Sequence, residues 1–230
     1  MIDPALIQSV IRILFAVVIV TAAYIISTRN LISLVSVYAL QSLTLVLMAL
    51  ALWSLEGATV LLAIAAVTFV SKVIVIPYFI ASIQERIRIR RDIEFHFLSP
   101  TTSLLLSMAL ILFIYIALAN ILEGTPARES LFFFGAVIGL SLMLMGMMVT
   151  FSRKRAITKV LGYLSMENGV LLFGMFVTEL PFIIEFLIII DLIILVILTT
   201  ILTVGLDSTL EEYHQRLHRF HLVGDTEDGP

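Results

Sequence analysis

The sequence predicts an all-α integral membrane protein with seven transmembrane helices. In it a three-helix unit occurs twice in parallel, as spans 1–3 and 5–7, with a connecting fourth helix. Three observations carry this expectation. The chain is 60% hydrophobic and 13% charged, with a mean hydropathy of +1.12, whereas a soluble domain holds about 25% charged residues. Apolar segments of the roughly 20 residues needed to cross the hydrocarbon core recur along its length. The basic residues between them gather on one side of a seven-span arrangement.

The spans fall at 5–27, 31–54, 57–82, 101–122, 131–151, 156–178 and 180–205. Each break carries polar or turn-forming chemistry. Arg29-Asn30 ends the first span and Glu56-Gly57 the second, and an arginine-rich stretch from Gln84 to Pro100 follows the third. Glu123-Gly124-Thr125-Pro126 closes the fourth and Arg153-Lys154-Arg155 the fifth. The shortest link is Thr178-Glu179, before Pro181, a residue suited to the first turn of a helix. The segments are too long and too continuously apolar for barrel strands. The N-terminus, Met1 to Ser9, lacks the basic flank and cleavage site of a signal peptide and reads as the start of a retained helix.

Orientation follows from charge. Arg29, Arg86, Arg88, Arg90, Arg91, Arg153, Lys154, Arg155, Lys159, Arg216 and Arg219 share one side, against Arg128 on the other, with Arg12 inside the first span. The positive-inside rule therefore places the N-terminus outside and the C-terminus in the cytoplasm, as expected for a multi-pass protein of the cell inner membrane. The lipid bilayer is the main solvent. The net charge of -3 gives no reason to expect a nucleic-acid partner, and the absence of cysteine excludes disulfides, thiol catalysis and cysteine-ligated clusters within the chain.

The second and sixth spans begin alike: Thr28-Arg29-Asn30-Leu31-Ile32-Ser33-Leu34-Val35 parallels Lys154-Arg155-Ala156-Ile157-Thr158-Lys159-Val160-Leu161. Gln41 stands twelve residues past Arg29, and Glu167 twelve past Arg155. Each is about 15 Å along its helix, near the bilayer midplane. The domains expected are residues 1–82 as a first three-helix repeat and 83–130 as a basic cytoplasmic loop with the connector helix. Residues 131–206 form the second repeat and 207–230 a polar cytoplasmic tail.

Four ionisable residues, Lys72, Glu167, Glu185 and Asp191, lie inside these apolar spans. A charge at mid-membrane costs about 3 kcal/mol by insertion scales. Gln41, Lys72, Glu167 and Asp191 share the central depth, while Glu185 lies one or two turns below the outer surface. Groups at equal depth on different helices can form a chain parallel to the membrane. Burial favours the protonated acid and a nearby lysine the ionised one, which suits Glu167 to gaining and losing a proton. Glu185 and Asp191 are about 120° apart around their helix and about 9 Å along it, so they face different neighbours. The competing account is structural: a buried Lys–Glu pair can lock helix packing, and Gln41 can hydrogen-bond between helices.

Lesser features have plain readings. Gly135 and Gly139 form a GxxxG pair that indicates a close helix contact. Pro77, five residues past Lys72, should kink the third span on its cytoplasmic side. His214 and His218 have the spacing of a metal pair, yet beyond His221 no third ligand is evident, so a solvated or partner-docked tail is expected. The Arg86–Arg91 run is explained by topology alone. With no phosphate loop, zinc signature or nucleophile–base constellation, the chain is not expected to be an enzyme on its own.

Spans five to seven resemble the three-helix K subunit of respiratory complex I, in which a basic loop precedes a helix bearing a mid-membrane glutamate. Here the pattern reads Arg153-Lys154-Arg155-Ala156-Ile157 and then Gly162-Tyr163-Leu164-Ser165-Met166-Glu167-Asn168-Gly169. The whole chain resembles component E of hydrogenase-4 and formate hydrogenlyase complexes, through Lys72-Val73-Ile74-Val75-Ile76-Pro77, the Glu167 segment, and Glu179-Leu180-Pro181 through Glu185 to Asp191. The resemblance implies a proton-translocating membrane subunit beside antiporter-like subunits, coupled to a peripheral redox arm. No cofactor is implied for this chain; nickel–iron and iron–sulfur centres belong to the partner subunits of such complexes. Glu167 matches the first essential acid of the K-type subunit, and the second is either Asp191 or Glu185. Gln41 replaces the acid in the first repeat, so that half cannot relay protons in the same way. The alternatives are a non-conducting assembly scaffold of such a complex, a subunit of a related cation/proton antiporter, and a stand-alone transporter.

Overall fold

In lipid a backbone has no water to bond, so an apolar run satisfies its own N–H and C=O groups by coiling into a helix. The computed structural model follows that rule over the residues it describes, 4–28, 30–87, 99–123, 130–153 and 156–177, with the helical positions Ile189, Ile190, Ile193 and Val196. Six helices among the described residues are long and apolar enough to cross a membrane, and the chain is a multi-pass α-helical protein. They match the first six expected spans. The seventh, 180–205, apart from those four helical positions, and the tail from 207 lie outside the described residues. The chain divides into two compact units, Met1–Ile188 and Ile189–Pro230, and the six helices lie in the first.

The elements are α1 (Pro4–Ser27), α2 (Leu31–Glu56), α3 (Thr59–Thr68), a π-helical stretch (Phe69–Val75), α4 (Ile76–Ile87), α5 (Pro100–Ile121), α6 (Leu131–Ser152) and α7 (Ala156–Val177). Side chains set several of the helix starts. Asn30 accepts a hydrogen bond from the Ile32 N–H at the start of α2, Ser99 from Thr102 at α5, and Ser130 from Phe133 at α6. α2 stops at Gly57, whose φ of 70° lies in the left-handed region that a side chain disfavours. Helix continues to Ile87, five residues beyond the apolar span, because Gln84, Glu85 and Arg86 are good helix formers.

α2 is the hub, packed against α1, α3, the π-helical stretch, α4 and α7, whereas α5 packs on α1 and α6. The closest pairing is α6 with α7. Glycines make it so: a Cβ on Gly139 would stand 2.6 Å from the Phe173 backbone nitrogen, and one on Gly162 2.7 Å from that of Thr150. Gly146 and Gly169 likewise face the backbones of Met166 and Met143. Without a hydrophobic drive between helices in lipid, this close approach supplies the van der Waals contact that holds the pair. The expected Gly135–Gly139 contact is therefore present, extended by three further glycines.

In the third span Pro77 has no N–H to offer, and its ring crowds the carbonyl four residues earlier. The ladder is altered upstream of it: the Ile76 N–H reaches back five residues to the Ser71 carbonyl, and the π-helical stretch has Lys72 in its midst. Such insertions into α-helices are rare and are frequent at functional sites.

Arg153, expected as a loop charge, is 3% exposed and ends α6. Its Nη2 donates to the carbonyls of Ile25 at 3.2 Å, Ile26 at 3.0 Å and Thr28 at 2.8 Å, closing the C-terminal end of α1. A cation there also meets the negative end of the helix dipole. Arg153→Met is expected to cost about 3 kcal/mol of stability, and Arg153→Lys less, since a lysine keeps the charge without the fork. Denaturant unfolding of the purified variants in detergent measures both; equal stability of Arg153→Met and the parent would dismiss the cap.

Candidate functional site

The polar residues of the spans converge. Gln41 on α2, Lys72 in the π-helical stretch and Glu167 on α7 are all buried, with exposures of 0%, 0% and 3%. The Lys72 Nζ stands 3.0 Å from Glu167 Oε1, an ion pair between two spans closed off from solvent. Lys72 also donates to Asn168 Oδ1 at 3.4 Å.

Asn168 carries the network onward. Its Nδ2 donates to Gln41 Oε1 at 3.2 Å and to Ser42 Oγ at 3.1 Å. Gln41 Oε1 also accepts from Ser165 Oγ at 3.1 Å. On its other side Gln41 Nε2 donates to Thr21 Oγ1 on α1 at 3.5 Å, and the Thr21 hydroxyl donates to the Val18 carbonyl at 2.8 Å. One polar path thus links four spans through their interior. Inside a low dielectric each of these bonds is stronger than in water, and each unmet group costlier.

Local sequence explains the convergence. Ser165, Glu167 and Asn168 lie within one turn of α7, and the α7 glycines at 162 and 169 seat that helix on α6. Gln41 and Ser42 are adjacent on α2, so that two neighbouring positions receive the same amide. Tyr38, one turn earlier on α2, is buried with them. Tyr163, one turn before Glu167, lies within its electrostatic reach.

The structure therefore brings together three residues singled out by sequence, Gln41, Lys72 and Glu167. The other two, Glu185 and Asp191, lie outside the described residues, as do His214, His218 and His221. Sequence reading passed over Asn168, Ser165, Ser42 and Thr21. A signal for Asn168 was present: it is a strongly polar residue directly after Glu167 in an apolar span. Serine and threonine gave no such signal, because in a membrane helix they commonly bond back to their own backbone, as Ser141 and Thr44 do here.

Among the described residues no group of three metal-ligating side chains comes together. Chemically, the arrangement offers one buried acid, one buried base and a set of amides and hydroxyls with defined donor and acceptor roles. No protein-family model, curated protein or solved structure matches the chain.

Proposed function

We propose that this chain is a membrane-arm subunit of a complex I-related hydrogenase or formate hydrogenlyase-type complex, in which it takes part in lateral proton transfer coupled to a peripheral redox arm. The observation that carries the reading is the Lys72–Glu167 pair, 3.0 Å apart and sealed from solvent between two spans. An acid and a base in contact exchange a proton with little movement, and a buried pair is sensitive to any charge arriving nearby. The π-helical backbone around Lys72 supports the same reading.

In this proposal 180–205 is a seventh span, and Asp191 or Glu185 on it is a second acid of proton transfer. Spans 1–3 and 5–7 are diverged parallel copies, with α5 as connector. The contacts of α2 with α7 and α1 with α6 are compatible with two such units side by side. The N-terminus faces outward, the C-terminus lies in the cytoplasm and the membrane is the cell inner membrane. The partners are antiporter-like membrane subunits and a redox arm that holds the nickel–iron and iron–sulfur centres.

Glu167→Gln in native membranes is the test. It keeps the shape of the side chain and removes the exchangeable acid. Redox-driven proton translocation is expected to fall at least about tenfold, which corresponds to roughly 1.4 kcal/mol in a barrier. Unchanged translocation and coupling would sink the proposal. A non-conducting scaffold is the second reading, favoured by the amide network of Asn168 and Gln41, which ties α7 to α2 without needing to titrate. Under it, Glu167→Gln lowers the yield of the complex and leaves the turnover of each assembled complex intact. Proteins that co-purify in mild detergent separate a hydrogenase-type complex from an antiporter: a nickel–iron large subunit marks the first.

A further inference from the structure

Asn168 has no place in the proton path as described, yet it joins three other members of the polar core. Its side chain meets Lys72, Gln41 and Ser42, on two other spans, and it is fully buried. The sense of these bonds follows from one fact: an ammonium has three donors and no acceptor. Lys72 can approach only the carbonyl end of the Asn168 amide. That orientation aims the NH2 end at α2, where Gln41 Oε1 and Ser42 Oγ receive it. Gln41 then has its own NH2 pointing to α1, where Thr21 Oγ1 accepts and its hydroxyl donates to the Val18 carbonyl. A turned amide would set NH2 against an ammonium and a carbonyl against a carbonyl. The charge on Lys72 thus dictates donor and acceptor roles across three helices.

We infer that Asn168 is the positioning residue of the Lys72–Glu167 pair: anchored on α2 by Gln41 and Ser42, its carbonyl holds the Lys72 ammonium against Glu167. The inference rests on the proton-transfer reading of that pair and gives the neighbouring asparagine a role in it. Two consequences follow. Asn168 acts on Glu167 through Lys72, so it sets the protonation behaviour of the acid without itself carrying a proton. The amides of Asn168 and Gln41 also close the α2 side of the site, because an amide neither gains nor loses a proton in the working pH range. Protons then enter and leave Glu167 elsewhere, and Gln41 is an anchor and no carrier. Besides Lys72, the titratable groups on the described elements that touch α7 are Tyr38 and Glu56 of α2 and Arg12 and Tyr24 of α1, whose Phe15 ring lies 5.2 Å from that of Phe176; α7 itself adds Lys159 and Tyr163, and α6 has none.

The test uses the full complex in native membranes, with two readouts on Asn168→Leu. Infrared difference spectroscopy follows the carboxyl band of Glu167, identified as the band lost in Glu167→Gln, across the accessible pH range. Redox-driven proton translocation is measured over the same range. The expected result is a titration midpoint displaced by about one pH unit or more, the scale of a single lost charge-assisted contact. A matching change in the pH profile of translocation should accompany it. Gln41→Met removes one of the two anchors and is expected to displace the midpoint in the same sense by less; it carries the test if Asn168→Leu fails to accumulate. An unchanged midpoint, or no titration in either protein, overturns the positioning role. A displaced midpoint with unaltered translocation keeps the positioning role and instead removes Glu167 from the proton path, so the two failures are told apart.

Discussion

Methionine in place of Lys72 is expected to lower the unfolding free energy of the purified chain by about 3–5 kcal/mol, the scale seen when one member of a buried ion pair is removed. The side chains are similar in length, so little packing is lost. What changes is that Glu167, 3% exposed, loses the ammonium that stood 3.0 Å away. Glu167→Gln alone should cost less, because Lys72 keeps the Asn168 carbonyl and gains the glutamine carbonyl. The decisive measurement is the double variant. With both charges gone, no unpaired ion is left buried, and Lys72→Met/Glu167→Gln is expected to recover most of the loss. Denaturant unfolding in detergent of the parent, both single variants and the double completes the cycle. If the two single losses simply add, the pair is not energetically coupled, and the close contact has no bearing on stability.

Gly169→Val is expected to be as damaging by a different route. A Cβ at 169 would lie 2.7 Å from the Met143 Cα and 2.8 Å from the Gly139 carbonyl oxygen. Both obstacles are backbone, so no rotamer change relieves them, and α6 and α7 must part. Overpacking of this kind costs at least about 3 kcal/mol where the neighbour cannot yield. Parting the helices also moves Glu167 and Asn168, which lie on the same turns of α7, away from their partners on α2 and the π-helical stretch. Gly135 is a further close contact, since a Cβ there meets the ring of Phe176, which is buried against Phe15 and Phe132. Gly57→Ala provides the contrast: the surroundings are open, and the cost is the left-handed backbone alone, about 1–2 kcal/mol. Unfolding in detergent should rank Gly169→Val well below Gly57→Ala. Wild-type stability for Gly169→Val would mean that α6 and α7 do not meet backbone to backbone.

The positions of the first six spans were legible because lipid imposes a simple rule: length and apolarity decide, and the caps at Asn30, Ser99 and Ser130 fall where the polar breaks are. The meeting of Gln41, Lys72 and Glu167 was legible for a related reason. An expensive group in lipid needs a partner at its own depth, and depth can be counted along a helix from its polar end. What could not be counted was azimuth. Which face of α2 turns to α7 depends on how all the helices pack, so Ser42 and Thr21 were invisible as network members. Arg153 was misread for the opposite reason: charge statistics treat loop arginines as interchangeable, whereas this one lies within reach of the α1 carbonyls. Pro77 announced a disturbance, and its form, a π-helical stretch surrounding Lys72, depended on how the upstream ladder relaxed.

The Arg153 contact has a consequence for the order in which the protein is made. Thr28 and Arg153 are 125 residues apart in the chain. At about 5–20 residues per second, the ribosome needs roughly 6–25 s to go from one to the other. Throughout that interval the end of α1 is a row of carbonyls awaiting a guanidinium that has not been synthesised. The first hairpin reaches its final form only when the fifth span has been delivered, so the earliest segment to enter the membrane is among the last to be finished.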